Sequence, residues 1–415
     1  MNMIFWILLL LICLLSDCNS LTLNNRLKDN KEVSQCLHDI TPGAGPELLN
    51  LGRTWETDKP FVTIVANMSR ITSLDGVRSY FQFRTFDPEG IIMYGDGNNA
   101  TEWFILGLRN GIVEMQIGKS GVRATVSGGP IVNDGQWHLI HLKSEQEGVV
   151  LRVDDKSVLR LELHVMRHEQ GNVDAMRILL GGQPQNASPL FTPLKPQMDG
   201  CLKNWNWLDQ DTDSLLNLDV NTKPCFTHIS RGSYFSGEGL AVFHSNDFPQ
   251  AMEDWTLNIE MIIRPDQWQG TLVTITTKDL EDLMTVYFDS SKASELIQVK
   301  TGTVELILPH TLYHKCQEIR FSVNVSEHEI QVQISDLKMQ RDFEDYVHWK
   351  QVWQEGASLF IGGSPDPRGE SPYSGRNYFQ GCLGQIWVQN QLVDMDASHY
   401  KHDSIWSHSC PQWKN

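Results

Sequence analysis

The fold is decided by residues 79–119, which read SYFQFRTFDPEGIIMYGDGNNATEWFILGLRNGIVEMQIGK. Short apolar runs rich in aromatic and β-branched residues are separated here by turn residues, a pattern typical of antiparallel strands. Asn110 and Gly111 are a two-residue hairpin signal, and the Asp-Pro-Glu-Gly sequence at 87–90 is a turn. The predicted strands are residues 80–85, 91–94, 103–108 and 112–117.

Three polar side chains share strand faces with apolar ones in this stretch. Because strand side chains alternate between two faces, Ser79 lies on the face of Phe81 and Glu102 on that of Phe104. Lys119 likewise belongs to the apolar face of the last strand. An apolar cleft with polar ends suits a long apolar ligand with a polar atom at each tip. The same pattern is also typical of ordinary strand ends at a wet rim, and parity alone leaves both interpretations open.

The length and the first residues indicate a secreted protein of two domains. A chain of 415 residues is too long for one small core and comfortable for two. Residues 4–15 form an apolar run that is shorter than the roughly 20 residues needed to cross a bilayer. Small residues follow it, so residues 1–20 are predicted to be a signal peptide, although they lack a leading Lys or Arg. No later apolar run is long enough to cross a membrane, and the mature protein is expected to be soluble.

The net charge and the glycosylation sequons limit the classes of partner and the compartment that the sequence predicts. The formal net charge is −17, with 51 acidic and 34 basic residues, which argues against nucleic acid or an anionic membrane as the main partner. Glycosylation sequons suggest surface loops in an oxidising compartment. They are Asn67-Met-Ser, Asn99-Ala-Thr, Asn186-Ala-Ser and Asn324-Val-Ser.

An internal repeat indicates which cysteines form disulfide bonds. Six of the eight remain after signal removal, and they are Cys36, Cys201, Cys225, Cys316, Cys382 and Cys410. The pairs of motifs LLGG and FIGG, and DGCL and QGCL, recur at the same separation, so two copies of one fold follow each other. Each copy then closes its own bridge, Cys201 with Cys225 and Cys382 with Cys410. By elimination, Cys36 and Cys316 are left for a bridge between the modules, which counting alone cannot settle.

Both halves consist of short, evenly spaced strands, which predicts sandwiches of antiparallel sheets. Further predicted strands are residues 137–142, 149–153, 158–163, 257–263, 272–276, 285–288 and 330–334. No long stretch shows the period of an amphipathic helix. The predicted organisation is an N-terminal segment at 21–48, a first domain at 49–208, a polar linker at 209–230 and a second domain at 231–411.

Several motifs carry a family resemblance. The sequences FRTFDPEGIIMYGD, WFILGLRNG, DGQWH, MRILLGG and MDGCL resemble the laminin-G-like module. FQGCLGQIWVQNQ and IWSHSCPQ extend the resemblance to the two-module globulins that carry sex steroids in plasma. The tandem also resembles the protein S group, whose Gla and EGF-like segments have no Cys-dense counterpart here. The resemblance implies an all-β fold of two tandem laminin-G-like antiparallel β-sandwiches of the jelly-roll type.

The resemblance also implies a binding site for androgens and oestrogens in the first module. Ser79 matches the residue that anchors the steroid A ring, and Phe104 and Met176 match residues of the pocket wall. Glu102 and Lys119 stand where the family presents an Asp and an Asn to the 17-hydroxyl group. Glu102 can accept a hydrogen bond and Lys119 can donate one, or the two can pair and cover the pocket mouth. This departure leaves the preferred steroid open.

Calcium is the second ligand that the resemblance implies. Asp87 and Glu89 offer hard oxygens two residues apart, and the family adds a backbone carbonyl near Gln197. The alternative is a solvated acidic turn. Zinc is not expected, because Ser120 and Val173 stand where the family has zinc-associated histidines.

The sequence does not predict an enzyme, since it lacks a GxSxG elbow, an HExxH motif, a CxxC pair and a phosphate loop. The predicted function is a secreted plasma carrier of sex steroids, which can form a homodimer through a sheet edge of the first module. The alternative is an extracellular adhesion or receptor-ligand protein of the protein S type.

Overall fold

The structure, a computed structural model, describes residues 42–43, 48–52, 62–67, 76–97, 102–119, 122–145, 148–162, 175–184, 187, 190–210, 224–249, 255–289, 296–309, 317–366, 368 and 374–412. Within these ranges the chain is built from antiparallel strands, with one α-helix and two short 3-10 helices. The strands form two sandwiches, one in each half of the chain.

The first module is a sandwich of two six-stranded sheets. Its strands are β1 (Pro42–Gly43), β2 (Leu48–Asn50), β3 (Val62–Asn67), β4 (Arg78–Arg84), β5 (Gly90–Gly97), β6 (Trp103–Arg109), β7 (Ile112–Lys119), β8 (Val122–Ile131), β9 (His138–Glu145), β10 (Gly148–Val153), β11 (Lys156–Glu162), β12 (Ala175–Leu180), β13 (Cys201–Asn206) and β14 (Cys225–Phe226). Sheet A has the order β11-β10-β9-β4-β13-β2, and sheet B has the order β3-β12-β5-β6-β7-β8.

Alternation along these strands builds the first core. Phe81 and Phe83 of β4 are completely buried, and Leu106 of β6 and Met115 of β7 meet them from the opposite sheet. The four strands predicted within residues 79–119 are β4 to β7. Strand β4 begins two residues before the predicted start and ends one residue before the predicted end, and the other three extend one to three residues beyond the prediction at one or both ends. The period-two pattern therefore predicted both the strands and their inward faces.

The second module repeats the architecture with an eight-stranded and a seven-stranded sheet. Its strands are β15 (Ile229–Ser230), β16 (Ser233–Ser236), β17 (Ala241–His244), β18 (Leu257–Pro265), β19 (Gly270–Thr276), β20 (Asp282–Asp289), β21 (Leu296–Thr301), β22 (Glu305–Pro309), β23 (Ile319–Val325), β24 (Glu329–Ile334), β25 (Leu337–Asp342), β26 (Ser358–Ile361), β27 (Ser364–Pro365), β28 (Gly375–Arg376), β29 (Gln380–Val388), β30 (Gln391–Leu392), β31 (Tyr400–Lys401), β32 (Ile405–Trp406) and β33 (Cys410–Pro411). The larger sheet has the order β25-β24-β23-β18-β29-β16-β32, with β30 beside β29, and the smaller has β22-β21-β20-β19-β26-β17-β31.

A helix in the second module was not predicted from the sequence. Helix α1 (Tyr346–Gly356) buries Trp349, Val352 and Trp353, which stand at helical spacing. The apolar stripe is only one turn and a half long, which is why no extended helical period appears in the sequence. Among the described residues, no helix has the length and apolar character needed to span a bilayer.

The disulfides follow the repeat. Cys201 is bonded to Cys225 and Cys382 to Cys410, the two pairs predicted within the modules. Cys36 and Cys316 lie outside the described residues, so their bridge stays a prediction.

The predicted linker is partly folded. Strand β14 pairs with β1 of the first module, and β15 pairs with β33 at the end of the second module, so both strands of the predicted linker belong to sheets. These strands have only two residues each, and such pairs are determined by distant partners rather than by a local pattern. Residues 224–230 therefore belong to the folded part of the protein.

Candidate ligand-binding site

Ser79 lies inside the first sandwich, on the face of β4 that the sequence predicts. It is 5% exposed and shares this face with Phe81. Its Oγ accepts a hydrogen bond from the backbone N–H of Leu208 at 3.0 Å. A hydroxyl group that accepts in this way still has its own proton to donate. Ser79 can therefore donate to a ligand oxygen in the apolar interior.

Phe104 and Met176 belong to the facing sheet. Both are half-buried and pack against the core of the first module. Met176 pairs with Gly97, whose N–H donates to the carbonyl oxygen of Glu102 at 3.2 Å. Glu102 and Met176 are therefore brought to the same end of sheet B.

Lys119 is placed at that end by its backbone. Trp103 pairs with Gly118 across β6 and β7, so the preceding Glu102 stands beside Lys119 in register. Glu102 is half-buried. The structure thus groups the two polar positions that the sequence assigned to the far end of the ligand.

Ser79 belongs to sheet A, Lys119 belongs to sheet B and Glu102 directly precedes β6 of sheet B, all at the same end of the sandwich. Strand β4 runs into the turn at 85–89 and β5 leaves it, so the start of β4 and the end of β5 lie at the same end. Stacked sheets are about 10 Å apart. A ligand held by Ser79 on one sheet and near Glu102 on the other must therefore cross the interior.

A turn at residues 207–210 completes the surroundings of Ser79, and sequence reasoning missed it. Leu208 and Asp209 both have left-handed backbones, with φ of 55° and 52°. Asp209 holds the start of β4, since Arg78 N donates to its Oδ2 at 2.9 Å and its own N donates to Arg78 O at 2.9 Å. The polar residues that begin at Asp209 predict a linker here instead.

The predicted calcium residues border one turn, but the carboxylate of Glu89 pairs with Arg109 and does not belong to the group of ligand atoms around Asp87. Asp87 accepts backbone hydrogen bonds from Glu89 at 3.1 Å and from Asp199 at 3.0 Å. Glu89 lies 3.6 Å from Arg109. The carbonyl oxygen of Gln197 lies against Gly90, where an added Cβ would be only 2.0 Å from it.

The second module contributes to this site, which the sequence did not predict. His408 Nε2 lies 3.9 Å from Asp87 Oδ1, 3.1 Å from Asp394 Oδ1 and 3.3 Å from Asp396 Oδ2. Lys401 forms ion pairs with Asp396 and, at 3.7 Å, with Asp199. These residues form an inter-module charge cluster. The second-module residues of the cluster begin at Asp394, which is 304 residues after Gly90 (394 − 90), so no local pattern indicates them.

Burial shapes the electrostatics of this cluster. It raises the pKa of Asp87 to about 6, with His408 offsetting part of the effect. Burial, together with the charge of Asp396, raises the pKa of Asp199 to about 7. Burial alone would lower the pKa of His408, but the charge of Asp87 and the hydrogen bonds to Asp394 and Asp396 hold it well above its ordinary value. Charges on the two sides of the module boundary therefore depend on each other.

The donor set fits a cation. Carboxylate oxygens of Asp87 and Asp396 lie within 4.8 Å of each other, and His408, whose pKa is held well above its ordinary value, lies beside them as a cation and not as a ligand. Asp199 Oδ2 is buried and accepts no hydrogen bond from any described residue. Carboxylate and carbonyl oxygens are the ligands that calcium prefers. The residues present could therefore hold calcium, with oxygens from both modules.

The expectation that the sequons lie in surface loops is wrong for two of them, because Asn67 ends β3 and Asn324 lies within β23. Asn99 and Asn186 lie outside the described residues.

Comparisons with known proteins define the class. Laminin G domain family models match residues 83–213 and residues 263–391. Domains LG4-5 of the mouse laminin alpha1 chain match with a TM-score of 0.65 at 16% identity, covering 90% of this chain and 96% of that one. The LG1-3 region of the laminin alpha2 chain gives 0.55 at 15% identity, covering 89% and 66%. The molecule is therefore a protein of two tandem laminin G domains, and the all-β prediction is confirmed.

Proteins of similar sequence show which family of tandem laminin G proteins this chain belongs to. Sex hormone-binding globulin of Rattus norvegicus is 30% identical over 351 residues, which cover 82% of each chain. Growth arrest-specific protein 6 of Mus musculus is 29% identical over 80% of this chain and 52% of its own length, so the chain spans about half of that relative. The chain belongs to the sex hormone-binding globulin family of tandem laminin G proteins. This family assignment confirms that it is not an enzyme.

Proposed function

We propose that this protein is a secreted carrier that binds sex steroids between the sheets of its first module. The observation that carries the proposal is the buried hydroxyl group of Ser79, oriented by Leu208 on an otherwise apolar face. Phe104 and Met176 line the facing sheet of the same interior. The similarity to a sex hormone-binding globulin supports the same ligand class.

Binding strength requires that the ligand be enclosed. A steroid has about 20 heavy atoms, which at roughly 0.3 kcal/mol per atom contribute about 6 kcal/mol. Nanomolar affinity requires about 12 kcal/mol. Nearly complete burial must supply the difference, while hydrogen bonds of about 1 kcal/mol each set orientation and selectivity.

The test is a titration of charcoal-stripped protein with a panel of tritiated androgens and oestrogens. We expect nanomolar binding of at least one steroid and a loss of at least several-fold in Ser79→Ala for 3-keto steroids. Ser233→Ala, a buried serine of β16 in the second module, should bind as wild type does. Absence of binding to the whole panel would overturn the proposal.

The carrier also has an implied calcium ion, held by Asp87 and the carbonyl oxygen of Gln197. Asp396 of the second module adds a carboxylate beside Asp87. Calcium supplies positive charge to the buried carboxylates when bound. In the same proposal the protein is glycosylated at the four sequons and forms a homodimer through a sheet edge of the first module, which light scattering would detect.

A second function is favoured by a specific observation. Growth arrest-specific protein 6 matches over 80% of this chain at nearly the same identity as the globulin. An extracellular adhesion or receptor-ligand protein is therefore the alternative. Calcium-dependent binding to a receptor ectodomain, without steroid binding, would favour it over the carrier.

A further inference from the structure

The turn at 207–210 carries a polar group that the structure leaves unpaired. The side chain of Trp207 is completely buried in the core of the first module. Its indole Nε1 has no hydrogen-bond partner among the described residues. An indole N–H can only donate, and a buried donor without an acceptor lowers stability. A bound ligand can supply the acceptor that no described residue provides.

Trp207 borders the same part of the interior as Ser79. Its ring packs on Phe81, with centroids 5.3 Å apart, and Phe81 shares the inner face of β4 with Ser79. The residue after it, Leu208, donates its backbone N–H to the Ser79 hydroxyl oxygen. One short segment therefore carries the indole and orients the hydroxyl group.

Two residues of this segment have a left-handed backbone conformation, which residues with side chains rarely adopt. Leu208 and Asp209 are consecutive left-handed residues with side chains, a conformation that costs free energy. Two hydrogen bonds between Asp209 and Arg78 keep it in place.

We propose that Trp207 donates a hydrogen bond from Nε1 to the same ligand oxygen that the Ser79 hydroxyl group binds. This inference rests on the proposed steroid site. A carbonyl oxygen has two lone pairs and can accept from both donors, whereas a hydroxyl group also brings a proton that needs an acceptor of its own. The pair Ser79 and Trp207 therefore selects a ketone over an alcohol at this end of the ligand.

The second module offers matched controls. Trp255 and Trp353 are also buried, and their Nε1 atoms also lack partners among the described residues. They lie in the other core, far along the chain from Ser79. Replacing them by Phe removes the same N–H without touching the proposed site.

The test compares Trp207→Phe and Trp255→Phe with wild type, using three tritiated probes. These are dihydrotestosterone, its 3-hydroxy counterpart 5α-androstane-3β,17β-diol and the 3-deoxy compound 5α-androstan-17β-ol. We expect Trp207→Phe to weaken dihydrotestosterone about fivefold, equivalent to about 1 kcal/mol, and to change binding of the 3-deoxy compound by less than about twofold. The wild-type preference for the ketone over the alcohol should shrink, and Trp255→Phe should bind all three as wild type does.

An equal loss for ketone and 3-deoxy compound in Trp207→Phe would show that the residue only packs, and would overturn the inference while leaving the carrier proposal intact. Absence of binding by wild type would overturn the carrier proposal itself and the inference with it. If Trp207→Phe does not fold, indole ¹⁵N–¹H spectra of wild type decide. One buried indole resonance should shift downfield with dihydrotestosterone and not with the 3-deoxy compound, and no such difference would overturn the inference.

Discussion

Among single residues, His138 shows how one side chain ties two turns of the first module together. Its Nδ1 lies 2.8 Å from Asp154 Oδ2, and its Nε2 lies 3.0 Å from Asp134 Oδ1. Burial alone would lower the pKa of His138, but hydrogen bonds to Asp154 and Asp134 and their charges outweigh it and raise the pKa. When it is protonated, the ring can donate a hydrogen bond to each of the two carboxylates.

This arrangement predicts a pH dependence of stability. Because the folded pKa of His138 is raised, its contribution is complete below the unfolded pKa of about 6.5 and is lost as pH rises through the folded pKa. We expect His138→Gln to remove this loss in urea unfolding measured from pH 5.5 to pH 8.5. His141 is the matched control, because burial and the nearby Arg152 lower its pKa and give the opposite sign. Parallel profiles for His138→Gln and wild type would contradict the role of His138.

Residue-level prediction from the sequence succeeded where the signal was local. The parity of Ser79 and Phe104 follows from strand alternation, and the structure places both on inner faces. Trp207 and Leu208 were missed, because they meet β4 only through contacts about 130 residues apart in the chain. His408 was missed for the same reason, since it reaches Asp87 from the other module.

Among the elements, the turn at 85–89 depends on close contact with the segment before β13. Gly90 lies against the backbone of Gln197, and a Cβ there would be 2.0 Å from the carbonyl oxygen. We expect Gly90→Ala to lower the free energy of unfolding by about 1–3 kcal/mol, because backbone must move to make room. Chemical denaturation measures this.

Gly302 is the matched control for this substitution, because an added Cβ meets nothing within 4 Å there. Gly302→Ala should stay within about 0.5 kcal/mol of wild type. Equal stability of the two variants would contradict the proposed close contact at Gly90.

Elements were predictable according to their length. Strands such as β6 and β18 contain enough alternating residues for the sequence pattern to predict them. Two-residue strands such as β14 and β15 do not, because their only definition is the partner strand. Helix α1 lies between these cases, since its stripe of three buried residues is too short to stand out in a strand-rich sequence.

In the whole molecule, the two modules are joined by polar contacts and by a small apolar cluster in which Phe226 of β14 packs on Tyr234 and Trp406. Arg84 of the first module donates to the carbonyl oxygen of Thr227 at 2.8 Å. Arg231 of the second module contacts the first module in two ways. It donates a hydrogen bond to the carbonyl oxygen of Asn133 at 3.3 Å, and its guanidinium lies 4.9 Å from the centre of the Phe86 ring. We expect bound ions to change the stability of this interface between the modules, because its polar contacts depend on how the charges are balanced.

The charge cluster makes that response testable. If calcium binds Asp87 with help from Asp396, it links the modules and stabilises the folded protein by about 2.7 kcal/mol at a concentration 100 times its Kd. We expect calcium to raise the unfolding midpoint, and Asp396→Asn to weaken calcium binding in calorimetry although Asp396 belongs to the second module. Asp279→Asn, an exposed substitution in the same module, should bind calcium as wild type does. Undiminished calcium binding by Asp396→Asn would confine the site to the first module. If the wild type binds no calcium, Lys401 and His408 are the cations that, among the described residues of the second module, balance these carboxylates.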